Sequence, residues 1–102
     1  LNSGDGEDLL IGGTSTLSGN TATLNAVMAE WTDLTKSYAD RVLHLSSGGA
    51  GSANGTTRLN RVTVRNDSNA ADSVNGNAEL DWFFQSANDV LDAIVGEIRT
   101  TI

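Results

Sequence analysis

Apolar side chains recur at spacings of three and four through the first half of the chain, which predicts a one-faced helical stretch over residues 20–45. The stripe consists of Leu24, Val27, Met28, Trp31, Leu34, Tyr38, Val42 and Leu45. Asn20 or Thr21 can cap its start, and residues 32–37 can divide it into two helices with Ser37 as the second cap. We expect the stripe to pack on the rest of the domain, and recognition of a partner helix is the alternative.

The second half of the chain reads mostly as short strands. Residues 59–65 alternate apolar and polar side chains, as a half-buried strand does. Residues 82–84 (Trp-Phe-Phe) are the densest apolar point and predict a buried strand. Residues 90–91 and 98–102 are further strand candidates, although residues 90–98 could equally form a short helix. The glycine- and serine-rich residues 46–57 predict a flexible loop.

A second pattern, made of glycine and aspartate, recurs at distant points. Residues 3–11 (Ser-Gly-Asp-Gly-Glu-Asp-Leu-Leu-Ile) fit the nonapeptide G-G-x-G-x-D-x-U-x, where U is apolar, at every key position but the first. Residues 67–75 and 76–84 repeat the frame with fewer glycines, and both keep the aspartate at position six and the apolar residue at position eight. In a parallel coil the glycines would let each loop bend and present carbonyl oxygens, and the aspartate would add a carboxylate.

These loops carry the oxygen ligands that calcium prefers. Ca²⁺ takes roughly six to eight oxygens, so two stacked loops can complete its shell together. The candidate ligands are Gly4, Asp5, Gly6, Asp8, Asp67, Asn69, Asp72, Asn77, Asp81 and Asp89. Because like-sided loops lie two turns apart, the frame predicts Asp8, Asp72 and Asp89 along one edge and Asp81 on the other. The alternative is that these residues serve only as turn formers.

These motifs resemble the RTX, or haemolysin-type calcium-binding repeat, family of large bacterial secreted or surface proteins. The resemblance lies in residues 4–13, 71–76 and 80–84. It implies an α+β fold, namely a short parallel β-roll (an RTX-like β-solenoid) with an inserted helix or helical hairpin. The implied single domain, residues 1–102, has its first β-roll turns at 1–17, a helical insertion at 20–45, a flexible loop at 46–57 and the remaining β-roll strands at 58–102.

Composition narrows the classes of function. Thirteen acidic and six basic residues give a net charge of −7, which argues against a general nucleic-acid binder. The chain has no cysteine and one histidine, His44, which excludes thiol catalysis and most metal-hydrolase sites. No apolar run approaches the roughly 20 residues of a membrane span. We therefore expect neither an enzyme, nor a nucleic-acid partner, nor membrane insertion.

Together these features predict a non-enzymatic, extracellular or cell-surface structural module with Ca²⁺ as its cofactor. It would be a repeat or subunit of a surface protein, adhesin, matrix layer or filament. The expected partners are further copies, through head-to-tail or tandem self-association, or neighbouring repeats. Two alternatives stay open: a calcium-dependent carbohydrate- or surface-binding module, and a C-terminal secretion or folding fragment of a secreted enzyme. Because Leu1 lies inside a repeat-like turn, we expect a processed product or part of a longer protein.

Overall fold

The chain folds as two units in a computed structural model that describes residues 1–17, 19–67 and 70–102. The sheet unit comprises Leu1–Thr14 and Val64–Ile102, and the helical unit comprises Ser15–Thr63. The described residues form two helices and seven short strands, so the fold class is α+β. Neither of these helices is long and apolar enough to cross a membrane.

The elements follow one another with short connections. In chain order they are β1 (Leu9–Ile11), β2 (Thr14–Ser15), α1 (Thr21–Trp31), α2 (Tyr38–Ser47), β3 (Val64–Arg65), β4 (Ser73–Val74), β5 (Trp82–Gln85), β6 (Val90–Leu91) and β7 (Ile98–Thr101). The strand predictions at 82–84, 90–91 and 98–102 are confirmed, and residues 90–98 contain no helix.

Strands β1 and β4 to β7 pair in parallel. β5 lies between β1 and β7 in one sheet, with Leu9 and Ile98 on either side of Trp82. β4 and β6 form a second sheet, and Asn2 forms a parallel bridge to Asn75 directly after β4. From β4 onward, successive strands therefore belong alternately to the two sheets. The β-roll itself stays a prediction.

The apolar residue at position eight of each frame lies in the core of the sheet unit. Leu10, Val74 and Phe83 form one buried cluster, with Leu91 and Ala93 packed against it. Burial of each of these three larger side chains contributes about 1.5–3 kcal/mol. Trp82 and Phe84 on the opposite face of β5 are also buried, and their ring centroids lie 4.7 Å apart.

Side-chain caps set the limits of the two helices, as predicted. The Asn20 side chain accepts a hydrogen bond from Thr23 N at the start of α1, and Ser37 accepts one from Asp40 N at the start of α2. Between the helices, Asp33 Oδ1 accepts a hydrogen bond from Thr35 N at 3.1 Å. Such a local turn competes with helix and separates the two segments.

The predicted apolar stripe is only partly buried. Val27, Trp31, Val42 and Leu45 are buried, whereas Leu24, Met28 and Leu34 are exposed. Leu34 lies in the turn between the helices, so the periodicity that placed it on the buried face does not apply there.

The predicted strand at residues 59–65 is wrong over most of its length. Only Val64–Arg65 is extended as a strand. Asn60 Oδ1 accepts hydrogen bonds from Val62 N and Thr63 N at 2.9 and 3.4 Å, which closes a turn that the alternating pattern did not reveal. Leu59 N instead donates to Leu45 O at 2.7 Å, so this segment continues the helical unit.

Candidate functional site

Two glycine–aspartate loops, residues 3–8 and 76–81, lie side by side directly before β1 and β5. Asp8 N donates to Asp81 Oδ1 at 2.7 Å. Asn77 Nδ2 donates to Asn2 Oδ1 at 2.7 Å and to Gly4 O at 3.4 Å. Asp8 and Asp81 are 73 positions apart in the chain, as are Gly4 and Asn77, and each pair has the same position in the frame.

The backbone of the two loops repeats as well. Gly4 and Asn77 share position two of the frame and have φ values of 91° and 66°. Gly6 and Glu79 share position four and have φ values of 110° and 74°. The second loop therefore keeps the left-handed conformation even where it has lost glycine, although this conformation is unfavourable for other residues.

The predicted neighbour of Asp8 is wrong. Asp8 lies beside Asp81, and not beside Asp72 as the frame suggested, because Leu9 pairs with Trp82. Since β1 and β4 belong to different sheets, counting whole turns across the helical insertion gave the wrong edge. Asp72 and Asp89 are neighbours as predicted, since Asp72 N donates to Asp89 Oδ1 at 2.9 Å.

Asp81 is the most strongly perturbed carboxyl group of the sheet unit. Its side chain is completely buried. Burial raises the pKa of Asp81 to about 6, and the nearby charges of Glu97, Asp8 and Asp92 add to this effect against the hydrogen bond from Asp8 N. A fully ionised group here is therefore destabilised by its surroundings near neutral pH.

Asp92 and Glu97, which sequence reasoning missed, complete this edge. The two carboxylate oxygens of Asp92 accept hydrogen bonds from Gly76 N and Asn77 N at 2.7 and 2.8 Å. Glu97 Oε1 accepts a hydrogen bond from Asp81 N at 3.4 Å. Glu97 had a signal: it directly precedes β7, as Asp8 precedes β1 and Asp81 precedes β5. Asp92 follows β6, and no feature of the frame marks it.

The second edge is built around Asp89. Its carboxylate accepts hydrogen bonds from Asp72 N, from Ser86 N at 2.7 Å and from the Ser86 hydroxyl at 2.9 Å. Burial opposes ionisation of Asp89, but these hydrogen bonds outweigh it and hold its pKa below the ordinary value. A Cβ on Gly12 would lie 2.7 Å from Asp89 Oδ2 and 3.4 Å from Asp72 Oδ2, so any larger residue here would displace the Asp89 carboxylate.

The remaining predicted ligands differ in their surroundings. Asp5 is exposed. Asp67 Oδ1 is buried and has no hydrogen-bond partner within the described chain, and Asn69 lies outside the described residues. A cleft of about 400 Å³ lies in the sheet unit, and Asp67 and Asp72 contribute to its lining. Its other lining residues are Leu1, Ile11, Gly12, Gly13, Ala71, Ser73 and Val74.

The residues at the Asp8–Asp81 edge fit calcium by the chemistry of their donors. Asp8 Oδ2 is buried and has no hydrogen-bond partner among the described residues. Within residues 1–17, 19–67 and 70–102, no three His, Cys, Asp or Glu side chains converge on one metal position. Calcium at this edge would therefore combine carboxylate oxygens with main-chain carbonyl oxygens from the loops, a mixture that it accepts elsewhere.

The helical unit contains a buried charged centre that the sequence did not indicate. Glu30 is completely buried and accepts hydrogen bonds from Lys36 Nζ at 2.8 Å and Ala53 N at 2.7 Å. His44 Nδ1 lies 3.3 Å from Glu30 Oε2. Burial opposes ionisation of Glu30, but the contacts with Lys36, Ala53 and His44 keep its pKa below the ordinary value. This centre joins both helices to the turn and loop that follow them.

No family model, curated protein or solved structure matches the chain. The function is therefore inferred from the residues and their contacts. The acidic side chains at the two edges of the sheet unit are carboxylates that accept main-chain N–H groups.

Proposed function

We propose that the chain is a non-enzymatic calcium-binding structural module whose sheet unit is a short parallel β-roll. The parallel pairing of β1, β5 and β7, and of β4 with β6, supports this reading. The stacked loops support it too, because the frame positions of residues 3–11 match those of residues 76–84 in backbone conformation and in contacts. The two helices would be an insertion between turns of the roll.

The observation that carries the calcium proposal is the burial of Asp81 among other carboxylates. Its raised pKa reflects both desolvation and the charges of Glu97, Asp8 and Asp92. A divalent cation at this edge would compensate those charges and favour the ionised form of Asp81. Asp8 Oδ2, buried without a hydrogen-bond partner in the described chain, provides a free oxygen beside it.

Calcium would act here by stabilising the folded state. An ion that binds only the native protein increases the free energy of unfolding, by about 2.7 kcal/mol at one hundred times its dissociation constant. Such dependence suits an extracellular or cell-surface protein that folds where calcium is available. The module would then serve in a surface layer, adhesin, matrix or filament, next to neighbouring repeats or further copies in head-to-tail or tandem order.

The variant Asp81→Asn tests this proposal, because it keeps an oxygen that can accept the hydrogen bond from Asp8 N. With chelator at pH 7, we expect the variant to unfold at a higher temperature than the wild type, since it removes a buried charge. With calcium, we expect the wild type to gain more thermal stability than the variant. Asp40→Asn, an exposed change in the helical unit, is the control for the loss of one charge.

Two results would contradict the calcium proposal. One is a wild-type melting temperature that does not respond to a calcium titration followed by circular dichroism. The other is an equal calcium response in the wild type and Asp81→Asn, which would place any bound ion away from this edge. The control Asp40→Asn should respond to calcium as the wild type does.

A second candidate function is calcium-dependent carbohydrate binding at the cleft lined by Asp67 and Asp72. It is favoured by the size of that cleft, about 400 Å³, and by the buried Asp67 Oδ1 that lacks a hydrogen-bond partner among the described residues. A glycan array probed with and without chelator separates the two functions. The structural module predicts no bound glycan, whereas the second function predicts binding that chelator abolishes and that Asp67→Asn weakens.

A further inference from the structure

Among the described residues of the sheet unit, the hydrogen bonds that main-chain N–H groups donate to acidic side chains of a neighbouring turn all run in one direction. The main-chain N–H of Asp8 donates to the carboxylate of Asp81, and that of Asp81 donates to Glu97. On the other edge, the N–H of Asp72 donates to Asp89. Asp81, Asp89 and Glu97, which each precede a strand, thus accept a hydrogen bond from the acidic residue at the same place on the neighbouring strand that lies earlier in the chain.

By this rule the carboxylate of Asp8 still lacks its donor. Asp8 precedes β1, the first strand of its sheet, and no strand of the described sheet unit lies beyond it. Asp8 Oδ2 is nevertheless buried, and none of the described residues forms a hydrogen bond with it. If one further turn followed the same rule, its main-chain N–H group would donate a hydrogen bond to this oxygen.

Strand β1 pairs with β5 on one side, and no other strand of the described residues pairs with its second side. Trp82 N donates to Asp8 O, and Gly12 N donates to Phe84 O, so the peptide groups of Asp8 and Gly12 face β5. Because these groups alternate along a strand, those of Leu9 and Ile11 face the opposite side. Such an edge is able to pair with another strand.

At the opposite edge of the same sheet, β7 has a charged residue, Arg99, where β1 and β5 have apolar residues. Arg99 in β7 lies opposite Phe83 and Phe83 opposite Leu10, so these three residues share the face that forms the core. Arg99 is exposed, whereas Phe83 and Leu10 are buried. An inward-facing charge in an edge strand prevents a further strand from packing there, because the added turn would bury it.

We propose that the edge of β1 binds the last turn of another parallel coil built on the same glycine–aspartate frame, and that Arg99 closes the β7 end against the same contact. The incoming strand would pair with the peptide groups of Leu9 and Ile11. The residue before that strand would donate its N–H to Asp8 Oδ2, which continues the direction of the existing hydrogen bonds. This proposal rests on the parallel coil of the proposed function and assigns the chain one binding end and one closed end. Of the arrangements named there, it selects a neighbouring repeat without a charge at the position of Arg99, and not a second wild-type copy.

The test uses a second copy of this chain with its two ends altered. The double variant Leu9→Pro/Arg99→Val has a blocked β1 edge, because proline cannot donate the outward N–H, and an uncharged β7 end. Proline at the first residue of β1 leaves the hydrogen bonds to β5 in place. We expect this variant to stay monomeric alone and to form a 1:1 complex with the wild type, at about twice the mass of the 10.6 kDa chain.

Sedimentation velocity with calcium present measures the result, after circular dichroism has confirmed that each variant is folded. The single variant Leu9→Pro keeps Arg99 and should not bind the wild type. Arg99→Val alone has two open ends and should form larger species as its concentration rises. If Leu9→Pro does not fold, Ile11→Pro blocks the same edge, since its N–H also faces away from β5.

Absence of the 1:1 complex would overturn the proposal, and so would binding of Leu9→Pro to the wild type, because Arg99 would then close nothing. These outcomes can be told apart from those of the calcium test, although both proposals use Asp8 Oδ2, because a carboxylate oxygen has more than one lone pair. A protein that calcium stabilises but that forms no complex keeps the proposed function and loses this binding edge. A complex that forms equally well in chelator keeps the binding edge and separates it from calcium.

Discussion

Glu79 offers the sharpest test of the equivalence between the two stacked loops. Its φ of 74° places a side chain with a Cβ in the left-handed region, at the position where the first loop has Gly6. Glu79 is exposed, so its side chain contributes little packing. We therefore expect Glu79→Gly to stabilise the protein, although substitution by glycine usually does the opposite.

The size of the effect follows from two opposing contributions. A non-glycine residue in the left-handed region costs about 1–2 kcal/mol. Glycine makes the unfolded chain more flexible, which costs about 0.4–1 kcal/mol in return. The net gain in the free energy of unfolding is about 1 kcal/mol, which for a domain of this size raises the melting temperature by about 4–8 °C.

Urea unfolding followed by circular dichroism measures this gain, with two controls. Glu79→Ala removes the charge but keeps the Cβ, so the difference between Glu79→Gly and Glu79→Ala isolates the backbone contribution. Ala78→Gly lies next to it at a φ that is not positive, and we expect it to destabilise the protein by about 0.4–1 kcal/mol. If Glu79→Gly is no more stable than Glu79→Ala, the second loop does not repeat the backbone of the first.

Three further predictions concern buried groups. The pKa of Asp81 is about 6 in the folded protein, against an ordinary value of 3.8. Between these values the folded form holds a proton that the unfolded chain has lost. Without calcium, Asp81 therefore makes the protein less stable as pH rises from about 4 to 6. Urea unfolding of Asp81→Asn should lack this component. Gly76→Ala should destabilise the protein by about 1–3 kcal/mol in the same assay, because the added Cβ would overlap the Asp81 carboxylate. Glu30→Gln should lower the free energy of unfolding by about 1.5–3 kcal/mol at pH 7, because it replaces the charged hydrogen bonds of Glu30 with those of a neutral amide. Since the pKa of Glu30 is lowered, its contribution is present above the ordinary value of 4.5 and is lost as pH falls, so the difference between this variant and the wild type should shrink in acid.

Much of the local structure could be predicted because it depends on neighbouring residues. The caps at Asn20 and Ser37 and the buried strand β5 follow from side-chain chemistry and apolar density within a few positions. The strand expected at residues 59–65 failed for the same kind of reason, since one side chain, Asn60, redirects the backbone. The pattern of alternation does not record that competition.

The site was harder to predict because it depends on distant pairings. The frame correctly brought Asp72 next to Asp89, where no insertion intervenes. The frame failed for Asp8, because the residues of the helical unit come between β1 and β4 in the sequence. Nothing in the sequence shows on which edge of the sheet unit the chain continues after this insertion. Glu30 was missed for a related reason: its partners Lys36, His44 and Ala53 come together only after both helices have folded.

The aspartates at the two edges of the sheet unit differ in how their negative charge is stabilised. At Asp89, three hydrogen bonds satisfy the carboxylate and lower its pKa, so the turn is stable without a cation. At Asp81, burial and neighbouring carboxylates raise the pKa, so the turn gains most from a positive charge. We therefore expect calcium to protect the main-chain amides around Asp8 and Asp81 from hydrogen exchange more than those around Asp72 and Asp89. Equal protection at both edges would show that hydrogen bonding at Asp89 does not replace the ion, and the distinction between the edges would be wrong.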